Sequence, residues 1–309
     1  MQSGPFSPST DQELLTSYDV IRLWELEAPL AYLAEHGADV EAVVTSVQVG
    51  LPAEVIACLP GLRVICSWGV GYETVAVAAA RARGIPVSNT PRVLDGCVAD
   101  LAWGLLIATV RRISEGDRYV RAGQWRAIGG FPLAPRVSGK RLGVLGLGRI
   151  GQAIARRGLG FDMDVRYHNR NPRADTAYDY VASLPELAAW ADFLVVACIG
   201  GPGTHHLVSA EVIEALGPRG ILVNIARGSV VDEAALVKAL LERRLAGAGL
   251  DVFEGEPRVP KELLGLDNVV LTPHVGSSTV ETRQAMDRLV LDNLSSFMRT
   301  GTLLTPIPD

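Results

Sequence analysis

“VLGLGRIG”, residues 144–151, is the stretch that decides the fold of this chain. Its three glycines form a G-x-G-x-x-G run between an apolar strand and a helix. In that context the first glycine permits a tight turn, the second lets the backbone approach a pyrophosphate, and the third lets helix and strand pack closely. The helix N-terminus then faces the phosphates. The run therefore predicts a dinucleotide site whose first contacts come from Gly146, Gly148, Arg149, Ile150 and Gly151.

The chain around this loop alternates apolar strands with helices. Helices are predicted over 149–159, 209–216 and 232–244. Strands are predicted over 142–145, 165–168, 193–198, 221–225, 247–252 and 269–271. Six strands in this alternation predict a doubly wound parallel sheet, which binds ligands at the carboxyl ends of its strands.

The first third of the chain shows a similar alternation. Strands are predicted over 19–24, 42–46, 63–68 and 86–89, and an apolar helix runs from Cys97 to Arg112. The last helical stretch, 279–298, follows a sheet that is already complete, so we expect it to return to the first domain. We therefore predict an α/β fold with two doubly wound parallel-sheet domains. A Rossmann cofactor domain, residues 99–278, is inserted in a discontinuous flavodoxin-like substrate domain, residues 1–98 and 279–309.

Composition narrows the class of protein. The 309 residues carry a net charge of −5, which argues against nucleic acid as a partner. No apolar run approaches the roughly 20 residues that span a membrane. The start of the chain lacks the features of a secretory signal, and four scattered cysteines suggest free thiols without a metal site. We expect a cytoplasmic protein.

The end of the second strand, “VRYHNRNPR” (165–173), indicates which dinucleotide binds. An NAD site usually places an acidic residue here to bind the ribose 2′-hydroxyl. This chain has Asn169 at that position, followed by Arg170, with Arg173 nearby. A guanidinium can pair with a 2′-phosphate, whereas a carboxylate would repel it. The pattern favours NADP(H) over NAD(H), the alternative being that both arginines are solvated loop charges.

Three late strands end in ionisable residues. “NIARGSVVDE” carries Arg227, “GLDVFEGEP” carries Asp251, Glu254 and Glu256, and “LTPHVGSS” carries His274. Each alone has an ordinary interpretation as a surface charge or a loop histidine. Together they suit the reduction of a 2-keto acid, which needs a cation for the substrate carboxylate and an acid for the carbonyl oxygen. A carboxylate bonded to the other ring nitrogen would orient the acid and stabilise its charged form.

These motifs, “GLGRIG”, “NIARGSVVDE”, “GLDVFEGEP” and “TPHVGSST”, resemble in kind and order those of the D-isomer-specific 2-hydroxyacid dehydrogenase family. The resemblance implies that Arg227 binds the substrate, that Glu256 pairs with the histidine, and that His274 is the general acid/base. It also implies cofactor contacts at Asn169, Arg170, Cys198, Thr204, Ile225, Ala226, Arg227, Asp251, His274 and Gly276.

The resemblance extends to the first domain. “SWGVGYETV” (67–75) is similar to the family's substrate loop, which implies that the N–H groups of Val70 and Gly71 bind the carboxylate. “AGQW” (122–125) is similar to a loop that crosses a dimer interface in related enzymes. We therefore expect a homodimer. Trp125 either enters the partner's active site or packs within its own chain.

Within the family, the Asn169-Arg170 pair resembles NADP-dependent glyoxylate/hydroxypyruvate reductases. A small 2-keto acid is therefore the expected substrate, reduced to the D-2-hydroxy acid. A hydroxyphenylpyruvate or phenylpyruvate reductase is the alternative within the family. A dinucleotide-sensing, corepressor-like regulator is the alternative from another class, because such proteins share the fold and the Arg-Glu-His set.

Overall fold

The computed structural model describes residues 1–308, and these form two compact units. The first comprises Met1–Leu94 and the chain from Ser278 onward, and the second comprises Asp95–Ser277. Both boundaries between the units lie slightly earlier in the sequence than the predicted boundaries, which follow residues 98 and 278. The first differs because the helix predicted from Cys97 begins at Asp95, so that residues 95–98 belong to the second unit.

The strands of the described chain are, in order, β1 Ala42–Ser46, β2 Val64–Trp68, β3 Val87–Ser88, β4 Arg141–Leu145, β5 Asp164–His168, β6 Asp179–Tyr180, β7 Phe193–Val196, β8 Ile221–Asn224, β9 Gly247–Leu250 and β10 Val269–Leu271. The α-helices are α1 Pro8–Ser17, α2 Pro29–His36, α3 Ala53–Ala57, α4 Val77–Ala82, α5 Asp95–Val110, α6 Ile113–Arg121, α7 Arg149–Leu159, α8 Leu184–Trp190, α9 Ala210–Leu216, α10 Glu233–Leu241, α11 Lys261–Leu264 and α12 Val280–Thr300. Four short 3₁₀ helices complete the regular structure of residues 1–308.

The second unit is built on a parallel sheet of order β10-β9-β8-β7-β4-β5-β6, seven strands within the described chain. The order reverses beside β4, which pairs with β5 on one side and β7 on the other. Strands β7, β8 and β9 are buried at every residue, because helices cover both faces of a doubly wound sheet. In the register of this sheet Asn224 pairs with Leu250, and Leu250 pairs with Leu271. The carboxyl ends of β8, β9 and β10 therefore lie side by side.

The first unit contains a smaller parallel sheet of order β1-β2-β3, three strands among residues 1–308. The predicted strand 19–24 is wrong. Gln2 alone bonds to Ile21 and Leu23, which gives an isolated bridge, and a 3₁₀ helix begins at Leu23. No residue of 19–24 is buried, so the apolar letters of this segment do not mark a core strand.

Several other boundaries differ from the predictions. The strand predicted over 86–89 is confined to Val87–Ser88, because the N–H of Asn89 bonds to Thr305 instead of a sheet neighbour. The helix predicted to run to Arg112 ends at Val110, and Arg112 adopts a left-handed conformation, φ 55°, before α6 begins. No element was predicted for residues 113–121, which form α6. No helix of residues 1–308 is long and apolar enough to cross a membrane.

Candidate active site

The glycine loop between β4 and α7 has the shape that a pyrophosphate requires. Gly146 adopts φ 96°, and a Cβ there would lie 2.5 Å from the Cα of Cys198. A Cβ at Gly151 would lie 2.0 Å from the carbonyl oxygen of Gly146, so helix and turn are in close contact. Gly148 is exposed, and a Cβ there would meet nothing within 4 Å. The loop thus presents open backbone at the N-terminus of α7, which fits a dinucleotide.

The end of β5 holds this loop in place. Asn169 Oδ1 accepts a hydrogen bond of 2.7 Å from the N–H of Leu147. Arg173 Nη1 donates to the Leu147 carbonyl over 3.1 Å, while its Nε and Nη2 donate to both oxygens of Asp175. Arg173 is therefore engaged in supporting the loop. Arg170 is exposed at the same strand end, so it is the better placed of the two arginines to meet a 2′-phosphate.

The other predicted cofactor residues lie along the same edge of the sheet. Arg149 forms an ion pair of 3.3 Å with Asp95, and Ile150 follows it at the start of α7. The Thr204 hydroxyl donates to the Ile199 carbonyl over 2.8 Å. Burial raises the pKa of the Cys198 thiol to about 11, so this side chain is a neutral thiol near pH 7. Ile225 and Ala226 are buried directly after β8. Direct contact of these residues with a cofactor stays a prediction.

Arg227 follows β8 on a turn that Asn224 shapes. Asn224 is buried, its Oδ1 accepts from the N–H of Ala226 over 3.0 Å, and its Nδ2 donates to the Arg227 carbonyl over 2.9 Å. The Arg227 side chain passes over Gly200, where a Cβ would lie 2.5 Å from Arg227 Cγ. Its guanidinium Nη1 donates to the Ala226 carbonyl over 2.7 Å. A backbone carbonyl of the same turn therefore holds the half-buried guanidinium of Arg227 in place.

Glu256 and His274 form the hydrogen-bonded pair that the sequence predicts. His274 Nδ1 lies 2.7 Å from Glu256 Oε2, and the two side chains are 35% and 33% exposed. The other carboxylate oxygen, Oε1, accepts from the N–H of Phe253 over 3.0 Å. A carboxylate fixed in this way orients the ring and accepts a hydrogen bond from Nδ1–H.

Asp251 fixes the turn that carries His274. It is 1% exposed, and its Oδ1 accepts from Thr272 Oγ1 over 2.7 Å and from the N–H of Val275 over 2.8 Å. Its Oδ2 accepts from the N–H of Gly276, also over 2.8 Å. The N–H of His274 donates to the Asp251 carbonyl, and His274 adopts φ 52°. The carboxylate therefore organises a strained turn, a role that the sequence analysis did not assign to it.

Val70 and Gly71 belong to the first unit, on the loop after β2. Asn89 Nδ2 donates to the Val70 carbonyl over 2.7 Å, and Gly69 adopts φ 123° just before them. The loop is therefore shaped by its own hydrogen bonds, and its part in substrate binding stays a prediction. Trp125 lies after α6 and is 61% exposed, so packing within its own chain leaves most of it uncovered.

The open glycine loop at the edge of a parallel sheet, beside a carboxylate–imidazole pair, is typical of dinucleotide-binding proteins. Similarity to known proteins identifies the family. Residues 103–276 match the sequence profile of the D-isomer specific 2-hydroxyacid dehydrogenase, NAD binding domain. The chain belongs to the D-isomer-specific 2-hydroxyacid dehydrogenase family.

Relatives cover nearly the whole chain. A hydroxyphenylpyruvate reductase from Plectranthus scutellarioides is 48% identical over 98% of this chain and 96% of its own. A glyoxylate/hydroxypyruvate reductase from Arabidopsis thaliana is 46% identical over the same shares. The crystal structure of an NADPH-dependent glyoxylate/hydroxypyruvate reductase from Sinorhizobium meliloti, in complex with NADP and malonate, superposes with a TM-score of 0.92. It is 43% identical, and the match covers 99% of this chain and 95% of that one. Together they indicate a 2-hydroxyacid dehydrogenase or ketoacid reductase with a nicotinamide cofactor.

Proposed function

We propose that this chain catalyses the NADPH-dependent reduction of a small 2-keto acid, of the glyoxylate or hydroxypyruvate type, to the D-2-hydroxy acid. The observation that carries the proposal is the 2.7 Å contact between His274 Nδ1 and Glu256 Oε2 at the carboxyl edge of a dinucleotide-binding sheet. His274 follows β10 and Arg227 follows β8, and only β9 lies between these two strands in the sheet.

His274 is the proposed general acid. Because Glu256 takes up Nδ1, Nε2 is the ring nitrogen that holds the transferable proton and donates it to the substrate's carbonyl oxygen. Glu256 keeps the ring oriented and stabilises the imidazolium from which the proton leaves. A nicotinamide cofactor bound at the glycine loop supplies the hydride.

Arg227 is the proposed anchor for the anionic substrate. Its planar guanidinium can pair with a carboxylate through two parallel hydrogen bonds and can also polarise a neighbouring carbonyl oxygen. This pairing orients the keto acid so that one face of its carbonyl receives the hydride, which gives a single stereoisomer when the product is chiral.

The preference for NADPH follows from the end of β5. The side chain at the expected acidic position is Asn169, which is neutral and is committed to the N–H of Leu147. Arg170 next to it supplies an exposed positive charge. That position holds no carboxylate that would repel a 2′-phosphate, and the adjacent Arg170 guanidinium can pair with the phosphate. The Sinorhizobium meliloti reductase, whose structure contains NADP, supports this choice.

A second candidate substrate class is the aryl pyruvates. It is favoured by the 48% identity to the hydroxyphenylpyruvate reductase of Plectranthus scutellarioides. The two classes differ in the volume of the group attached to the keto carbon, so turnover of substrates graded by size separates them.

The test is the initial rate of NADPH and NADH oxidation at neutral pH with glyoxylate, hydroxypyruvate, pyruvate, phenylpyruvate and 4-hydroxyphenylpyruvate. The proposal expects NADPH oxidation to be fastest with glyoxylate or hydroxypyruvate. A higher kcat/KM for the aromatic acids would establish the second candidate. NADPH binding without turnover of any of these acids would contradict the proposed substrates and strengthen the case for a dinucleotide-sensing regulator.

We also propose that the chain forms a homodimer through residues 122–136, here called the arm. Trp125, Ile128 and Leu133 of the arm are 61%, 98% and 99% exposed. Such a group of exposed apolar side chains is a frequent mark of a protein interface, and a second copy would cover it. Light scattering should give twice the chain mass of 32.9 kDa. A monomer would contradict this assignment.

A further inference from the structure

Two histidines and a glutamate outside the proposed catalytic set converge on the surface of the second unit. His205 and His206 directly follow the 3₁₀ helix Pro202–Thr204. Their Nε2 atoms lie 3.7 Å and 3.0 Å from the same oxygen, Oε1 of Glu254. One ligand atom from each of the three residues lies within 4.8 Å of the others. Glu254 was noted in the sequence as a strand-end acid, but the reaction proposed above does not use it.

The backbone arranges this pair in an unusual way. Consecutive side chains of an extended chain point to opposite sides. Here the two imidazole rings stack, with centroids 3.9 Å apart and planes 24° apart. The cause is His206, which adopts φ 50° in the left-handed region while its N–H donates to the Ser229 carbonyl over 2.8 Å. A non-glycine residue in that region is strained, and such strain concentrates at functional sites.

The distances suit a shared metal ion. A tetrahedral ion with bonds of about 2.0–2.1 Å to imidazole nitrogen and carboxylate oxygen keeps its ligand atoms about 3.3 Å apart. The two N–O separations in the structure, 3.0 Å and 3.7 Å, bracket that value. Two imidazoles and one carboxylate are a donor set that Zn²⁺ and its transition-metal neighbours prefer over Mg²⁺ or Ca²⁺.

We propose that His205, His206 and Glu254 bind a divalent transition-metal ion, with Zn²⁺ as the reference. The side chains are 57%, 36% and 38% exposed, so water completes the coordination shell. The ion would join two loops, the turn after Pro202–Thr204 that carries both histidines and the turn at Glu254, and the N–H of His206 links the first of these to Ser229, two residues after Arg227. Because it binds the folded arrangement of these loops, it stabilises the native state in proportion to its affinity and concentration.

The test is a calorimetric titration of the full chain, without a polyhistidine tag, with ZnCl₂ in a buffer that does not chelate metals. The proposal expects one saturable site per chain and a melting temperature that rises with added Zn²⁺. The double substitution His205→Gln/His206→Gln should weaken Zn²⁺ binding at least about tenfold, because losing even a residue that only orients a metal ligand can cost that much. Circular dichroism checks that the variant is folded.

The chain offers a matched control. His36 Nε2 lies 3.9 Å from Glu35 Oε2 on the surface of the first unit, so it is a single histidine beside a single carboxylate. His36→Gln should leave Zn²⁺ affinity unchanged. Glu254→Gln removes the third ligand without changing the histidines and should also weaken binding, which keeps the test decisive if the double variant fails to fold. Absence of a saturable site in the unsubstituted chain, or equal affinity in Glu254→Gln, would overturn the proposal. The titration needs no turnover, so its outcome is independent of the proposed reaction.

Discussion

The N–H of Gly276 donates to Oδ2 of Asp251 over 2.8 Å, and a Cβ at Gly276 would lie 3.1 Å from that same oxygen. The buried carboxylate is also held by Thr272 and Val275, so it has little freedom to give way. The turn that presents His274 therefore depends on the absence of a side chain at position 276.

We predict that Gly276→Ala lowers both stability and kcat. The added methyl group displaces the Asp251 carboxylate, at a cost of about 1–3 kcal/mol in the free energy of unfolding, and shifts the His274 ring. Gly265→Ala is the matched control, because Gly265 adopts φ −95° and a Cβ there would meet nothing within 4 Å. Urea unfolding and steady-state rates measure both effects. Wild-type kcat in Gly276→Ala would show that the turn tolerates a shift of the carboxylate.

The glycine loop yields a second prediction. Gly148→Ala should fold normally, since nothing lies within 4 Å of the new Cβ, yet it should bind NADPH poorly because the methyl group occupies the space of the pyrophosphate. Gly151→Ala should instead impair folding, because its Cβ would lie 2.0 Å from the Gly146 carbonyl oxygen. Melting curves and NADPH fluorescence titrations separate the two results. Unaltered NADPH affinity in Gly148→Ala would place the pyrophosphate elsewhere.

The two arginines after β5 should behave differently. Arg170→Ala is expected to weaken NADPH binding about tenfold or more, the value of one lost charge-assisted contact, with little change for NADH. Arg173→Ala is expected to weaken both cofactors alike, because Arg173 supports the carbonyl of Leu147 in the loop. Dissociation constants for both cofactors with each variant provide the check. An unchanged NADPH to NADH ratio in Arg170→Ala would remove the basis for the NADP preference.

Asp192 gives a prediction for pH. Burial alone would raise the pKa of this carboxyl, but hydrogen bonds from the side chain and backbone of Arg141 outweigh burial and hold it below its ordinary value. Its stabilising contribution is thus present above the unfolded-state pKa of about 4 and is lost as the pH falls through the lower folded-state pKa. Asp192→Asn should cost about 0.5–1 kcal/mol of unfolding free energy near neutral pH and less toward pH 3. The exposed Asp39→Asn is the control, and a pH-independent difference would contradict the assignment.

The second unit was predicted well from the sequence, because the two strongest patterns in this unit involve residues that are close together in the chain. A glycine run between strand and helix, and fully apolar strands, depend on neighbouring residues alone. The ends of the strands then brought Glu256 and His274 into one region, and the structure places them in contact. The catalytic roles of these residues, and of Arg227, remain predictions for experiment.

What the sequence could not provide depends on contacts between distant segments. Asp251 was predicted to contact the cofactor, and only the fold shows that both of its carboxylate oxygens hold the turn 272–276. Arg170 and Arg173 were both considered as cations near a 2′-phosphate. The structure shows that Arg173 instead bonds to Leu147 and Asp175. The segment 19–24 has a strand-like sequence, but it forms only an isolated bridge with Gln2, and none of its residues is buried.

The most direct test of the central claim compares wild type with His274→Ala in two measurements on the same samples: kcat for glyoxylate reduction and the dissociation constant for NADPH. If His274 is the general acid, kcat falls by about 10²–10⁴-fold while NADPH affinity is nearly unchanged. Near-normal turnover in His274→Ala would contradict the account, because the proton would then come from another group.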